Sequence, residues 1–202
     1  MTETAKPLKW YRALAERKGR LAAGAFLVEG DKAIRQIIAA DPVAVTEILV
    51  VSGTPASYRD YPVHRVSESQ FRYISRSQAP QGVMAVVRMP ADIYSDRLPG
   101  DTGEKVLLLE DVQDPGNAGT LIRTAAAFGF SGVILTENGA DPLSPKVVQS
   151  TAGVVLSVWL RRTKNYLALA DELKSKGFTL VAADLKGNAG PEVLKGVKKI
   201  VL

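Results

Sequence analysis

The residues best placed to do chemistry lie in the run Asp111-Val112-Gln113-Asp114-Pro115-Gly116-Asn117-Ala118-Gly119-Thr120-Leu121-Ile122-Arg123-Thr124. It follows an apolar segment, Lys105 to Glu110, that reads as a buried strand, and it leads into a helical pattern. Open α/β sheets bind ligands at the carboxyl ends of their strands, which is where this turn would sit. Asp-Pro-Gly-Asn is turn chemistry. Pro115 fixes φ, Gly116 or Asn117 can take a positive φ, and Asn117 is then expected to cap the helix. Arg123 carries a permanent fork of donors, and Gly116 and Gly119 would let a ligand or another backbone approach. Neither Gly-x-Gly-x-x-Gly nor Gly-Lys-Ser/Thr is present, which disfavours a dinucleotide fold and a P-loop ATPase. On the residues alone, a capped helix with one exposed arginine stands beside a binding site as an open alternative.

Other chemistries are limited by composition. The chain has no cysteine, which removes disulfides, thiolate nucleophiles and cysteine metal sites. His64 is the only histidine and lies in the extended run Pro62-Val63-His64-Arg65-Val66. It reads as an ordinary strand or loop residue, and no metal site is expected. The 202 residues, 23% charged and 46% hydrophobic, are ordinary for a globular protein and allow one large domain or two small ones. Residues 1–90 hold 13 Lys and Arg against 8 Asp and Glu, whereas residues 91–202 hold 13 of each. The whole surplus of +5 is therefore N-terminal, which points to a polyanion for the first half and a different task for the second. A domain that merely happens to be basic is the alternative. No apolar run approaches the roughly 18–20 residues that span a bilayer, and the N-terminus lacks a signal-peptide core. A cytoplasmic protein without membrane contact is expected.

The elements that must position these residues alternate along the chain. Lys6 to Arg20 has the spacing of one amphipathic helix with a basic outer face. Strand Ala25–Glu29, a helix through Ile34, Ile37 and Ile38, strand Thr46–Val51, and a loop from Ser52 to Pro62 follow. Ser67 and Gln70 have capping-box spacing at the start of a helix through Phe71 and Ile74, and a strand over Gly82–Val87 closes the region. Pro90 to Gly103 has linker composition and sets the boundary between domains at 1–95 and 104–202. The second half predicts strand Lys105–Glu110, helix Ala118–Phe128, strand Gly132–Thr136, helix Ser144–Ala152, strand Val154–Leu160, a helix from Asn165 to Gly177, strand Phe178–Ala183 and a last apolar run Ile200-Val201-Leu202. The fold class is α/β, with a parallel sheet in the second half.

The run from Leu109 through Asp114-Pro115-Gly116-Asn117-Ala118-Gly119 to Arg123-Thr124-Ala125-Ala126-Ala127-Phe128-Gly129 resembles the first motif of the SpoU/TrmH family of RNA ribose 2′-O-methyltransferases, which have the knotted SPOUT fold. Ser144-Pro145-Lys146 through Ser150-Thr151-Ala152-Gly153 is similar to the family's Ser-Pro-Lys helix. Phe26-Leu27-Val28-Glu29-Gly30 and Pro80-Gln81-Gly82-Val83 resemble the small ribosomal-protein-like substrate-binding domain that precedes the catalytic domain in many members. The likeness covers nearly the whole chain. Members continue past the strand matching Ile200-Val201-Leu202 with a Gly-x-Glu-x-x-Gly loop and further motifs that complete the knot, the cofactor pocket and much of the dimer interface. The methyltransferase domain is accordingly expected to be incomplete, with the cofactor-binding residues mainly beyond Leu202, which leaves open whether residues 1–202 alone are active.

The resemblance implies methyl transfer from S-adenosylmethionine to a ribose 2′-hydroxyl, with Asn117 and Arg123 as the catalytic residues. Arg123 is a poor base, so orienting a phosphate and lowering the hydroxyl's pKa electrostatically is its expected role. Glu110 is expected to be a strand-end residue, and Ser150 to have a helix or dimer role. The basic domain is expected to bind RNA through Arg12, Arg17, Lys18, Arg20, Arg72 and Arg76. Ribosomal RNA, 23S in particular, is favoured over tRNA, because the family's minimal tRNA enzymes lack the extra domain. A homodimer through the methyltransferase domain is implied. A non-catalytic RNA-binding protein and an unrelated nucleotide-binding α/β enzyme are the alternatives.

Overall fold

The computed structural model describes residues 5–55, 57–187 and 189–202. The segment expected as one helix over Lys6–Arg20 breaks into α1 (Leu8–Ala13) and α2 (Arg17–Ala23). The break is made by Arg20, whose guanidinium donates to the carbonyls of Leu14 at 3.1 Å and Ala15 at 2.9 Å, where the helix ladder has stopped. Gly19 makes the sharp joint possible, since a β-carbon there would overlap the Ala13 backbone.

β1 (Ala25–Glu29), α3 (Asp31–Ala40), β2 (Val45–Val51), β3 (Val63–Val66), α4 (Glu68–Ile74) and β4 (Val83–Arg88) complete the first half. Its sheet has the order β1-β4-β2-β3, with β4 antiparallel to β1 and β2, and β2 parallel to β3. The strands are apolar on both faces because both are covered. Ile48, Val50, Ala85 and Val87 face a core shared with α3, while Leu49, Met84 and Val86 face a second core with Tyr11, Leu14 and Phe71. The capping box forms as expected: the Gln70 N–H donates to Ser67 Oγ, and Gln70 Oε1 accepts from the Ser67 N–H.

β5 (Lys105–Leu109), α5 (Pro115–Ala127), β6 (Gly132–Thr136), α6 (Pro145–Ser150), β7 (Trp159–Thr163), α7 (Tyr166–Ser175), β8 (Thr179–Leu180) and β9 (Ile200–Val201) form the second half. All its strands are parallel, in the order β7-β6-β5-β9-β8. The strand expected at Val154–Leu160 starts later. Val154–Leu156 is a 3-10 turn, because Ala152 and Gly153 both take positive φ where the chain presses on α3. A β-carbon on Gly153 would lie 2.7 Å from Ala33 Cα.

The two halves are joined by more than a tether. The Pro- and Gly-containing segment after β4 lies along the β7 edge: Arg162 N–H donates to Ile93 O at 2.7 Å, Arg161 Nε to Arg97 O at 2.6 Å, and Asp96 accepts from Thr163 and Asn165. The otherwise open strand edge is thereby covered. One apolar cluster runs from Ile34 and Ile37 through Val155 to Ile122, Leu135 and Val147. Arg20, expected as an RNA contact, is corrected by the structure. It is 1% exposed, and its guanidinium pairs with Asp141 at 2.8 Å across the two halves, so no phosphate can reach it. Asp141 also accepts from Tyr94 Oη at 3.0 Å.

A buried carboxylate, Glu47 on β2, faces Lys6 Nζ at 2.8 Å, Tyr11 Oη at 3.1 Å and His64 Nε2 at 3.0 Å. His64 is thus a structural residue of β3, as its sequence context implied.

Asp141→Ala would leave the Arg20 guanidinium buried and unpaired, and should cost about 3 kcal/mol, read in denaturant unfolding. Burial, assisted by the Glu47 charge and opposed by the Lys6 N–H, pushes the Tyr11 hydroxyl up from 10.0 to about 12. Its folded value lies above its unfolded one, so the associated stability is complete below pH 10 and disappears as pH rises toward 12. Tyr11→Phe should therefore flatten the alkaline fall in melting temperature across that window; an unchanged slope would contradict this assignment.

Candidate active site

The strand order creates a switch point. From β5 the chain moves outward through β6 and β7 on one side, whereas β8 and β9 lie on the other, so the carboxyl ends of β5 and β9 border a crevice. Glu110 and Asp111 leave β5 at this crevice, and Leu202 leaves β9 beside it, where its carbonyl accepts from Leu108 N–H at 2.7 Å.

Asp111 takes a left-handed φ of 49°. This conformation is uncommon for a residue with a β-carbon, though less so for Asp. It is held by buried Thr136 at the end of β6: the Asp111 N–H donates to Thr136 Oγ1 at 2.8 Å, and that hydroxyl donates to Asp111 Oδ1 at 2.6 Å. The loop after β6 is fixed in turn by Arg162, which donates to the carbonyls of Glu137 and Gly139. Ala140 N–H donates to Val112 O at 2.9 Å and ties the two loops together. Tyr166 at the start of α7 donates to Glu110 Oε1 at 2.6 Å, and this bond raises the Tyr166 hydroxyl pKa. Glu110 is the strand-end residue that the sequence suggested.

The helix that carries Asn117 begins earlier than expected. Asp114 is the cap, accepting from Asn117 N–H at 2.7 Å, with Pro115 in the first helical position. Asn117 is therefore inside the first turn and is not the cap, and Gly116 and Asn117 keep ordinary φ. Asn117 and Arg123 are both exposed on one rigid helix, six residues apart. Ideal helix geometry separates them by about 9 Å along the axis and about 120° around it. The structure thus places both on the same element without bringing the side chains together. Arg123 makes no ion pair among the described residues. Gly119 serves backbone packing: a β-carbon there would lie 2.5 Å from Ser150 Cβ and 2.6 Å from Val147 O. Ser150 lies in this contact between α5 and α6, its hydroxyl bonded to Lys146 O at 2.9 Å.

Five of the six candidate RNA contacts reach solvent. Arg12 stacks on the Tyr73 ring at 4.4 Å and Arg17 on the Tyr94 ring at 4.6 Å. Arg72 pairs with Glu68 and Arg76 with Glu16, both on the surface, and Lys18 is exposed. Sequence reasoning did not single out Thr136, Arg162 or Tyr166, because each acts through strand register or loop approach. Among the described residues no group of three acidic or histidine side chains could hold a metal, and no helix is long and apolar enough to cross a membrane.

Two family models match the chain. Residues 104–202 match the SpoU rRNA Methylase family, and residues 6–85 match the MRM3-like substrate binding domain. The 23S rRNA (guanosine(2553)-2′-O)-methyltransferase RlmP of Bacillus subtilis is 33% identical over 185 residues, covering 90% of this chain and 71% of that protein. The crystal structure of the SpoU methyltransferase AviRb from Streptomyces viridochromogenes in complex with AdoMet superposes with a TM-score of 0.79 at 26% identity, covering 98% of this chain and 80% of that one. An AdoMet-bound rRNA methyltransferase from Sinorhizobium meliloti gives 0.76 at 29% identity, over 100% and 78%.

Thr136→Val keeps the side-chain shape and removes the two hydrogen bonds that Thr136 makes with Asp111. A loss of about 1–3 kcal/mol in urea unfolding is expected; a change within about 0.5 kcal/mol, usual for indifferent sites, would show that other contacts hold the loop.

Proposed function

The chain belongs to the SpoU rRNA methylase family, and we infer that it transfers a methyl group from S-adenosylmethionine to a ribose 2′-hydroxyl of ribosomal RNA. The observation that carries this reading is the exposed, unpaired Arg123 on a helix whose Asp114-capped start, with Asn117, adjoins the switch-point crevice. The relatives' names favour 23S rRNA: RlmP acts on a guanosine, and a Streptomyces viridochromogenes relative, 30% identical over 160 residues, on a uridine.

The crevice suits the methyl donor in its donor set. Glu110 and Asp111 are exposed carboxylates beside it, complementary to a sulfonium and an ammonium group, and the Glu137–Gly139 turn is the other stretch of this chain that would hold it. When bound there, S-adenosylmethionine supplies an electrophilic methyl group. The remaining requirements fall on the chain's own residues. The hydroxyl must be held in line at roughly 3 Å, and its proton must become easier to lose. Arg123 stays protonated, so it orients the phosphate next to the target ribose and stabilises negative charge developing on the oxygen. Asn117 supplies an amide that hydrogen-bonds the ribose.

In this reading, residues 1–95 recognise RNA through Arg12, Arg17, Lys18, Arg72 and Arg76, and residues 104–202 carry the chemistry. The chain works in the cytoplasm, where its substrate is, and away from membranes. It pairs as a homodimer through the second half, where Phe128 at the end of α5 is 69% exposed, an apolar surface suited to a partner copy. A second copy would also answer the separation of Asn117 and Arg123 on one helix, because each could then act on a site shared with its neighbour.

Arg123→Ala, assayed with labelled S-adenosylmethionine on unmodified 23S rRNA, should lower the transfer rate on the order of 10²–10³-fold, the usual cost of removing one charge-stabilising donor. Cofactor affinity by titration calorimetry should be retained. An unchanged rate would remove Arg123 from the mechanism.

A further inference from the structure

A cleft of about 780 Å³ lies between β1 and the segment after α4 on one side and the starts of α5 and α6 on the other. Ligand-sized sites run to about 300–1,000 Å³. Its floor is apolar, formed by Leu27, Ile74, Met84 and Val148, and its rim is polar, with Arg76 from the first half and Lys146 and Gln149 from the second. Two carboxylates also line it, and both are engaged. Glu16 accepts from Arg76 at 3.4 Å, and Glu29 accepts from Ser75 Oγ at 2.7 Å and Gln81 N–H at 2.9 Å. Lys146 is exposed and has no ion-pair partner among the described residues.

The position of the cleft matters as much as its lining. Pro115, the first residue of α5, forms part of its wall, so the cleft reaches the start of the helix that carries Asn117 and Arg123. Its other wall includes Arg76, two residues beyond α4, the helix on which Tyr73 is 45% exposed and carries Arg12 stacked on its ring. The apolar trough thus reaches from the segment that follows α4 to the start of α5.

We propose that this cleft holds an unstacked nucleotide of a single RNA strand that runs from the basic face to Asn117. The base lies in the trough against Met84 and Leu27, and its phosphate lies between Arg76 and Lys146. The proposal rests on the RNA methyltransferase reading and adds a subsite to it. Sequence-specific RNA recognition acts on splayed bases, whose faces pack on apolar and polarisable side chains without demanding one base type. An RNA strand is favoured over a peptide or a second copy because Lys146 is an exposed cation with no ion-pair partner among the described residues, the Glu29 carboxylate opposite is already met by the Ser75 hydroxyl and the Gln81 N–H, and the adjoining half carries the entire surplus of +5.

Two variants of the intact protein test it: Lys146→Ala, and Ala79→Trp, which fills the cleft from an exposed lining position. Filter binding of unmodified 23S rRNA across a salt series should show affinity reduced on the order of tenfold in each, with the salt slope smaller by about one for Lys146→Ala only. Melting temperature and S-adenosylmethionine affinity should stay at parental values. RNA affinity within twofold of the parent in both variants, with the parent methylating normally, would overturn the cleft proposal alone. A parent that binds RNA through the cleft and transfers no methyl group would uphold the subsite and refute the enzymatic reading. If Ala79→Trp altered only the sedimentation of the protein, the cleft would be a surface between copies and the proposal would fall.

Discussion

The Arg20 guanidinium, buried between the two halves, is the contact on which the arrangement of the molecule depends. It closes the joint between α1 and α2 through the Leu14 and Ala15 carbonyls, and it reaches across to Asp141. Asp141 in turn accepts from Tyr94 on the connecting segment and from Leu143 N–H ahead of α6. A buried ion pair contributes little net stability relative to well-packed apolar groups, because desolvating two charges offsets their attraction, but misdocking it is costly. The apolar cluster from Ile34 to Val147 supplies the cohesion, and the pair selects one orientation. The basic face is then held at a fixed distance from α5.

Much of this architecture was legible in the sequence because it follows from local pattern. The apolar strands, the Ser67 capping box and the alternation of strand and helix are each fixed by residues within a few positions of one another. Where the reading failed, a distant partner decided the outcome. Lys6–Arg20 keeps a helical apolar spacing across the break, yet Arg20 leaves that pattern to satisfy carbonyls and to reach a carboxylate 121 residues away. Val154–Leu156 has strong β propensity, yet the contact of Gly153 with Ala33 bends it into a 3-10 turn.

The site shows the same division. Its position at the end of β5 and the presence of Asn117 and Arg123 on the following helix are readable from turn chemistry and strand order. The identity of the cap was readable too: Asp followed by Pro is a strong start for a helix, with the carboxylate accepting from the third residue and proline needing no donor partner. Assigning the cap to Asn117 gave that residue a structural role, whereas the structure leaves its side chain exposed. Thr136 and Arg162 could not be found this way. Their roles arise from the registers Leu135↔Arg162 and Leu109↔Leu135, which bring the ends of three strands level so that one hydroxyl can hold Asp111 and one guanidinium can hold the next loop.

The charge division between the halves also takes on a more definite meaning. A surplus counted along the sequence does not separate a buried strut from a surface cation, and Arg20 shows how far the two can differ in one basic helix. Of the cations that reach solvent, Arg12 and Arg17 sit over tyrosine rings at 4.4 and 4.6 Å from the ring centroids. Stacking restrains the long side chain while leaving outward N–H groups available, so less conformational entropy is lost when a phosphate arrives. Lys18 is exposed and stacks on no ring among the described residues. The two kinds should act differently in recognition. A stacked arginine presents its donors in a restrained geometry, whereas an exposed lysine acts as a point charge whose field reaches over a Debye length of about 8 Å at physiological ionic strength. The charge surplus of the N-terminal half therefore includes both restrained and unrestrained cations, a difference that a count along the sequence does not reveal.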